Sequence, residues 1–340
     1  MSTIDPSGPR ARPFDPVPPA GAGRSRLGPR LVQALLPGVA SFGVLGWASA
    51  GAGGGSVDDA TRAGDVTTHA VIGQALPLHV NQRVERWVQR FRTDQRAEFQ
   101  KLLRRQGAYD AIIRKKLRQR GMPEELLYMA MMESGLSPRA VSSASAVGLW
   151  QFMGPTAQQY GLRVDQWVDE RRDPVRATSA ALDYLSWLHD RYGSWYLAAA
   201  AYNAGPGTVD RVLARHAEGR TGDEDLYWEV LEYLPRETRD YVPRLVAATL
   251  LAQDAEREGF DRGGTGPYRY DRVFVPGGTS LKRVAKALGV DPSLLRGLNP
   301  HLVQGVTPPN ETYPVRVPVG TAAVVVASVG RHGKTRRADD

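Results

Sequence analysis

From Val84 onward, apolar residues return at steps of three and four. Val84, Trp87, Val88, Phe91, Phe99, Leu102 and Leu103 hold these positions with arginine and glutamine between them, a spacing that predicts amphipathic helix. A second stretch through Ile112, Ile113 and Leu117 stops at Gly121. Pro123 to Ser134 then reads as a short helix. Proline is harmless in its first turn, Glu124 and Glu125 complement the dipole there, and Gly135 closes it. Asp173-Pro174 repeats the start signal ahead of Ala181, Leu182, Leu185, Leu188 and Tyr192, and Gly193 repeats the stop. Ser194 can cap a helix from Trp195 to about Asn203, and further helices are expected at about 208–217, 224–233 and 237–258. No convincing alternating strand occurs between Leu76 and Gly259, so this stretch predicts an all-α domain over 76–260.

Past a glycine-rich break at Gly263 to Gly266 the period changes. Val273-Phe274-Val275 and Val315-Arg316-Val317 read as short strands around two short helices, a small α+β unit over 268–320 that lacks a clean final strand. Residues 321–340 are assigned to a disordered tail, charged from Arg331. At the other end, a segment rich in Pro, Gly and Arg runs to Arg30. Uncharged Leu31 to Trp47 follows, ending in Ala48-Ser49-Ala50. Basic, apolar and small-x-small segments in that order predict export. Gln33 and Pro37 interrupt the apolar run, so residues 1–50 are either a cleaved signal or a retained membrane anchor. Residues 51–75, beginning GAGGGS, form a flexible linker by composition.

Composition excludes more than it selects. There is no cysteine, which removes disulfides, thiolate metal sites, a cysteine nucleophile and a lipid-bearing N-terminal cysteine. The formal charge is +8, and the first fifty residues hold +3 of it as Arg10, Arg12, Arg24, Arg26 and Arg30 against Asp5 and Asp15. The folded part is therefore only mildly basic, which suits anionic polymers without choosing among them. Zinc-finger spacing and ribonucleoprotein runs are missing, so no nucleic-acid partner is expected. The six histidines form no HExxH pair and no GxxxxGK loop occurs, so no metal and no cofactor are expected.

Glu133 is the first candidate for chemistry. Leu126 to Met132 is apolar nearly all round and so predicts a buried helix, which places Glu133 in low dielectric at the negative pole of a dipole. Both effects disfavour the carboxylate, and a raised pKa follows. A carboxylic acid that keeps its proton near neutrality can protonate a glycosidic oxygen, although a capping or ion-pairing role explains the residue alone equally simply. Ser142 to Met153 (SSASAVGLWQFM) is a small-residue loop that would let a sugar chain approach backbone. In it Gln151 offers an amide for hydroxyl or acetamido groups, and Trp150 either stacks on sugar or fills the core. Tyr202-Asn203 ends an alanine helix, and Tyr241 stands before Val242-Pro243.

The ordered set Glu133-Ser134, Gly148-Leu149-Trp150-Gln151, Ala201-Tyr202-Asn203 and Tyr241, on an all-α background, resembles the soluble-lytic-transglycosylase family, glycoside hydrolase family 23. The likeness runs from about Val80 to Gly259 and includes Gly161-Leu162, Arg171-Arg172-Asp173 and Tyr241-Val242-Pro243. It implies a mainly α protein whose lysozyme-like, goose-type helical domain binds peptidoglycan glycan strands. By that resemblance Glu133 is the catalytic acid and base, assisted by the C6 hydroxyl of the muramic sugar. Ser134 and Ser142 belong to the site, Gln151 binds glycan, Tyr202 and Asn203 stabilise positive charge, and Tyr241 bonds Glu133 and helps keep it protonated. Ser145 stands where the family more often has glycine. The C-terminal unit, through Gly278-Thr279-Ser280-Leu281, Leu288-Gly289-Val290 and Leu298-Asn299-Pro300, resembles a degenerate LysM module, a class that binds N-acetylglucosamine polymers. A monomer of the periplasm or cell envelope is expected, with membrane association through the N-terminal apolar segment left open.

Overall fold

The computed structural model describes residues 75–329. The predicted signal or anchor, most of the linker and the last residues of the tail lie outside them. Among the described residues no helix is long and apolar enough to cross a membrane.

Helix α1 (Gln82–Arg92) starts at Asn81, whose side chain accepts from the Arg83 and Val84 amides. Its buried stripe of Val84, Trp87 and Phe91 packs on α9 (Arg236–Gln253). Helix α2 (Arg96–Gln119) follows after a break at Thr93 to Gln95, which the spacing had not resolved. It runs unbroken through Gly107, because its buried Phe99, Leu103, Ile113 and Leu117 hold both halves on one core.

The predicted helix at Pro123 is a 3₁₀ turn (Glu124–Leu126) leading into α3 (Leu127–Ser134). Every residue of α3 from Leu127 to Met132 is buried, and α2 and α9 lie against it. At about 1.5–3 kcal/mol per large apolar side chain, this burial outweighs the poor intrinsic stability of an eight-residue helix. Gly135, with φ of 60°, ends it through bonds from its own and the next amide to Met131 and Ala130.

After the short α4 (Gly154–Gln159), Asp173 caps α5 (Pro174–Tyr192) and Ser194 caps α6 (Trp195–Ala204), as the start signals predict. Ala198 to Ala201 of α6 are fully buried, which lets α5, α7 (Pro206–His216) and α9 approach it closely. Helix α8 (Asp225–Glu229) and a 3₁₀ turn (Leu231–Tyr233) occupy the segment predicted as one helix. Pro243 sits inside α9, where its ring disrupts the bond to the Arg239 carbonyl. The single hydrogen of the buried Tyr227 hydroxyl is shared between that carbonyl, at 3.2 Å, and Thr238 O, at 3.0 Å, so the acceptor that Pro243 leaves free has a partner.

The C-terminal unit pairs β1 (Asp271–Val275) with β2 (Tyr313–Val317) antiparallel, around α10 (Leu281–Leu288) and α11 (Pro292–Leu298). The final strand is thus complete across the whole register, against the sequence expectation. Pro314 is tolerated because each strand of a two-stranded ribbon keeps one open edge. A second correction concerns the tail. Ala322–Val329 forms α12, with Val325 and Val329 buried against α10 and β1. An uncharged run with apolar residues four apart has a face to bury, and the disordered reading overlooked it.

The two units share an interface. Val168 of the helical domain belongs to the core of the small unit and bridges to Leu302. Asp169 N donates to His301 O at 2.9 Å, and Tyr268 N donates to Ala108 O at 2.9 Å. Arg316 donates to both Asp173 oxygens at 2.8 and 2.6 Å, with both side chains buried.

Candidate active site

Glu133 stands in the last turn of α3, partly open to solvent yet enclosed by α9 and α6 side chains. Burial pushes its carboxyl up to about 7, and Glu237 adds to the rise. Two groups oppose this. The Tyr241 hydroxyl donates to Glu133 Oε1 at 2.7 Å, and the Arg244 guanidinium adds a nearby positive charge. The expectation that Tyr241 keeps the acid protonated is therefore corrected, because a phenol donating to a carboxylate favours the ionised form. Its contribution is orientation, while burial holds the proton. The Tyr241 and Tyr202 phenols are themselves pushed well up by burial and by Glu133.

Three of the expected residues grip one loop. Ser134 Oγ donates to Leu149 O at 2.8 Å, Tyr202 OH to Trp150 O at 2.7 Å, and Gln151 Nε2 to Gly148 O at 2.9 Å. Successive carbonyls of Gly148-Leu149-Trp150 are thus pinned to α3, α6 and the loop itself. Gln151 is buried, so its amide nitrogen braces the loop. Trp150 is wholly buried and donates to Thr178 Oγ1 at 3.0 Å, which selects the core-filling reading. Asn203 Oδ1 accepts from Thr238 Oγ1 at 2.8 Å, and its side chain also bonds Glu237. Ser142 lies apart: its hydroxyl accepts from Ala146 N at 3.0 Å and closes the far turn of the loop.

The loop is buttressed from behind. Asp169 holds Arg171 by Nε at 2.9 Å and Nη2 at 3.0 Å, and Arg171 Nη1 reaches the Ser145 and Phe152 carbonyls at 3.3 Å each. Gly148 has φ of 86°, and a Cβ there would lie 1.8 Å from Arg171 O, a backbone atom that cannot yield. Gly148→Ala should therefore cost about 3 kcal/mol or more, combining left-handed strain with overpacking. A fall in the thermal midpoint together with lost activity checks this. Ser145 has φ of 65°, a conformation that glycine adopts without strain.

Sequence reasoning missed Arg244 and Glu237. Arg244 is buried, lies 4.9 Å from the Trp87 ring centroid and leaves Nε without a partner. Glu237, Tyr241 and Arg244 are spaced i, i+4, i+7 on α9, a single helical face that the sequence could have shown. It also missed the aromatic row that leaves Tyr202 through Tyr184, at 5.3 Å, to Tyr160, at 5.1 Å. Among the described residues no cluster suits a metal ion.

Residues 110–223 match the Transglycosylase SLT domain, and residues 269–332 match the Lytic transglycosylase MltD, LysM-like domain. Fold and site together thus define an SLT-type helical domain joined to a LysM-like companion. The chain thus carries a transglycosylase SLT domain followed by an MltD-type LysM-like domain. It is similar to membrane-bound lytic murein transglycosylase D of Escherichia coli, 32% identical over 249 residues, which covers 72% of this chain and 54% of that protein. It also resembles membrane-bound lytic murein transglycosylase C of Sodalis glossinidius, 27% identical over 169 residues, covering 46% of this chain and 43% of that one. The chain therefore spans about half the length of these relatives. Among solved structures, the 70 kDa soluble lytic transglycosylase of Escherichia coli aligns at 24% identity with a TM-score of 0.37, over 44% of this chain and 24% of that one.

Proposed function

We propose that this protein is a peptidoglycan lytic transglycosylase, exported to the periplasm or cell envelope, that cuts the β-1,4 bond between N-acetylmuramic acid and N-acetylglucosamine. The observation that carries this reading is the enclosed Glu133 carboxyl, pushed up to about 7 and oriented through Oε1 by Tyr241. With Oε1 occupied, the proton resides on Oε2 and passes to the glycosidic oxygen as the C1–O bond breaks. The resulting carboxylate then takes the proton of the muramic C6 hydroxyl as O6 bonds to C1. Glu133 is restored, no water is consumed, and a 1,6-anhydro end is left. An internal nucleophile replaces the second carboxylate that most glycosidases place across the bond.

The neighbours support the steps in between. Tyr202 donates its hydrogen to Trp150 O, so its oxygen lone pairs are free to face positive charge at the anomeric carbon. Asn203, tied to Thr238 and Glu237, holds the adjoining wall. Ser134, Ser142 and Gln151 act on substrate through the loop they shape. The names of the relatives, which include membrane-bound murein enzymes, support an envelope location. Mass spectrometry of digested cell-wall sacculi tests the product: new muramic ends lighter by one water support transglycosylation, and reducing ends would assign a muramidase instead.

The pH dependence has a defined sign. Glu133 must begin protonated, so kcat/KM should fall as pH rises through about 7. Tyr241→Phe removes a donor to the carboxylate, which raises the pKa further. Its alkaline limb should shift to higher pH even as the maximal rate drops, and a pH–rate profile of both proteins reads the shift.

A further inference from the structure

A cleft of about 610 Å³ lies between the two units and not at Glu133. Arg139 and Arg172 enter it from the helical domain, and Lys282 and Arg296 from the small unit. No aspartate or glutamate lines it. Arg139, Lys282 and Arg296 are exposed, and none has a carboxylate partner among the described residues. Arg172 Nε is buried and donates no hydrogen bond, although Asp169 Oδ2 lies 3.4 Å away. Arg139, Lys282 and Arg296, three cations without a carboxylate partner, converge with the Asp169-paired Arg172 on a concave space lined by no acid, and their charges repel one another unless an anion joins them. Asp291, the nearest acid on α11, is occupied in capping that helix at Ser293 N.

The two units hold the cleft in place. Arg139 Nη2 donates to Arg296 O at 2.8 Å, and Arg172 Nη1 to Arg139 O at 3.4 Å. The cleft also adjoins the catalytic loop. Arg139 follows Glu133 by six residues, and its neighbour Ala140 accepts from Gly148 N at 3.0 Å, at the start of the pinned loop segment.

We propose that this cleft is a specificity site for an acidic peptide carried on the muramoyl group, its carboxylates bound by Arg139, Arg172, Lys282 and Arg296. The proposal rests on the glycan-cleaving function above and adds the substrate class: peptide-bearing strands are preferred to bare ones. Charge-assisted contacts to paired carboxylates supply the preference.

The test uses the full chain and the double variant Lys282→Gln with Arg296→Gln, both exposed positions outside the catalytic machinery. On peptide-bearing glycan the variant's KM should rise roughly tenfold, the effect of two lost charge-assisted contacts. Its kcat, and its KM on glycan stripped of peptide by an amidase, should stay unchanged. An equal rise on both substrates, or on neither, overturns the proposal. Calorimetry with a soluble muramoyl tripeptide separates this outcome from failure of the catalytic reading, because it needs no turnover. Binding by the wild type that weakens in the variant supports the site. Wild-type binding no tighter than that of inorganic phosphate, or no binding at all, overturns it even if cleavage is active.

Discussion

Glu133→Gln should lower wall cleavage by roughly a thousandfold, within the range that a positioned general acid–base contributes. The substitution conserves shape, and the amide oxygen can still accept from Tyr241, so the fold survives. Retained sacculus binding and an unchanged thermal midpoint would place the loss in chemistry. What disappears is the exchangeable proton: the amide can neither protonate the leaving oxygen nor remove the proton of the C6 hydroxyl. Cleavage that persists at the wild-type rate would assign the enzyme's work to another group, or make the protein a wall-binding scaffold.

The second large effect concerns stability. Arg316→Met should destabilise the protein by about 3–5 kcal/mol, because it strands the Asp173 carboxylate in the interface without its cation. Asp173 would keep the Val175 and Arg176 amides, which it accepts from as the cap of α5, and the neutral His301 ring 3.6 Å away. Adding Asp173→Asn should restore part of the loss, since an uncharged amide tolerates that site better. Denaturant titration of the single and double variants reads both outcomes. A pH dependence follows from the same cluster. The Arg316 cation and the cap amides hold the Asp173 carboxyl below its usual range, so its contribution is present near neutrality and lost under acid. His301, buried against Asp173, Arg316 and Arg176, is pushed down to about 4 and stays neutral when folded. The unfolded chain binds that proton from about pH 6.5 downward, so stability should fall as pH drops from about 6.5 towards 4. His301→Gln should flatten that part of the curve.

Sequence legibility tracked how local each determinant was. Caps and stops are local, so Asp173, Ser194, Gly135 and Gly193 marked helix ends where the structure has them. The buried Leu127 to Met132 stretch was equally plain, and with it the raised pKa of Glu133. The break at Thr93 was missed because apolar spacing continues across it while the chain turns. The tail helix was hidden by the charged composition that begins at Arg331, although Val325 and Val329 had a face to bury.

The site divides along the same line. Residue identities were readable; the direction of each hydrogen bond was not. Gln151 and Tyr241 illustrate this: one turns its amide nitrogen inward to Gly148, the other donates to the acid and so favours the ionised form. Arg244 acts through tertiary burial, and only its helical spacing from Tyr241 pointed to it. The cleft between the units depends on how they dock, through Asp173 and Arg316 separated by 143 residues, which no local pattern encodes.

The central claim is that burial lets Glu133 keep its proton near neutrality. Difference infrared spectroscopy of wild type against Glu133→Gln, from about pH 5 to about pH 9, observes that proton directly. A protonated-carboxyl band, absent from the variant, should vanish with a midpoint near 7. A Glu133 carboxyl already ionised at about pH 5, in the range of an ordinary solvated glutamate, would contradict it.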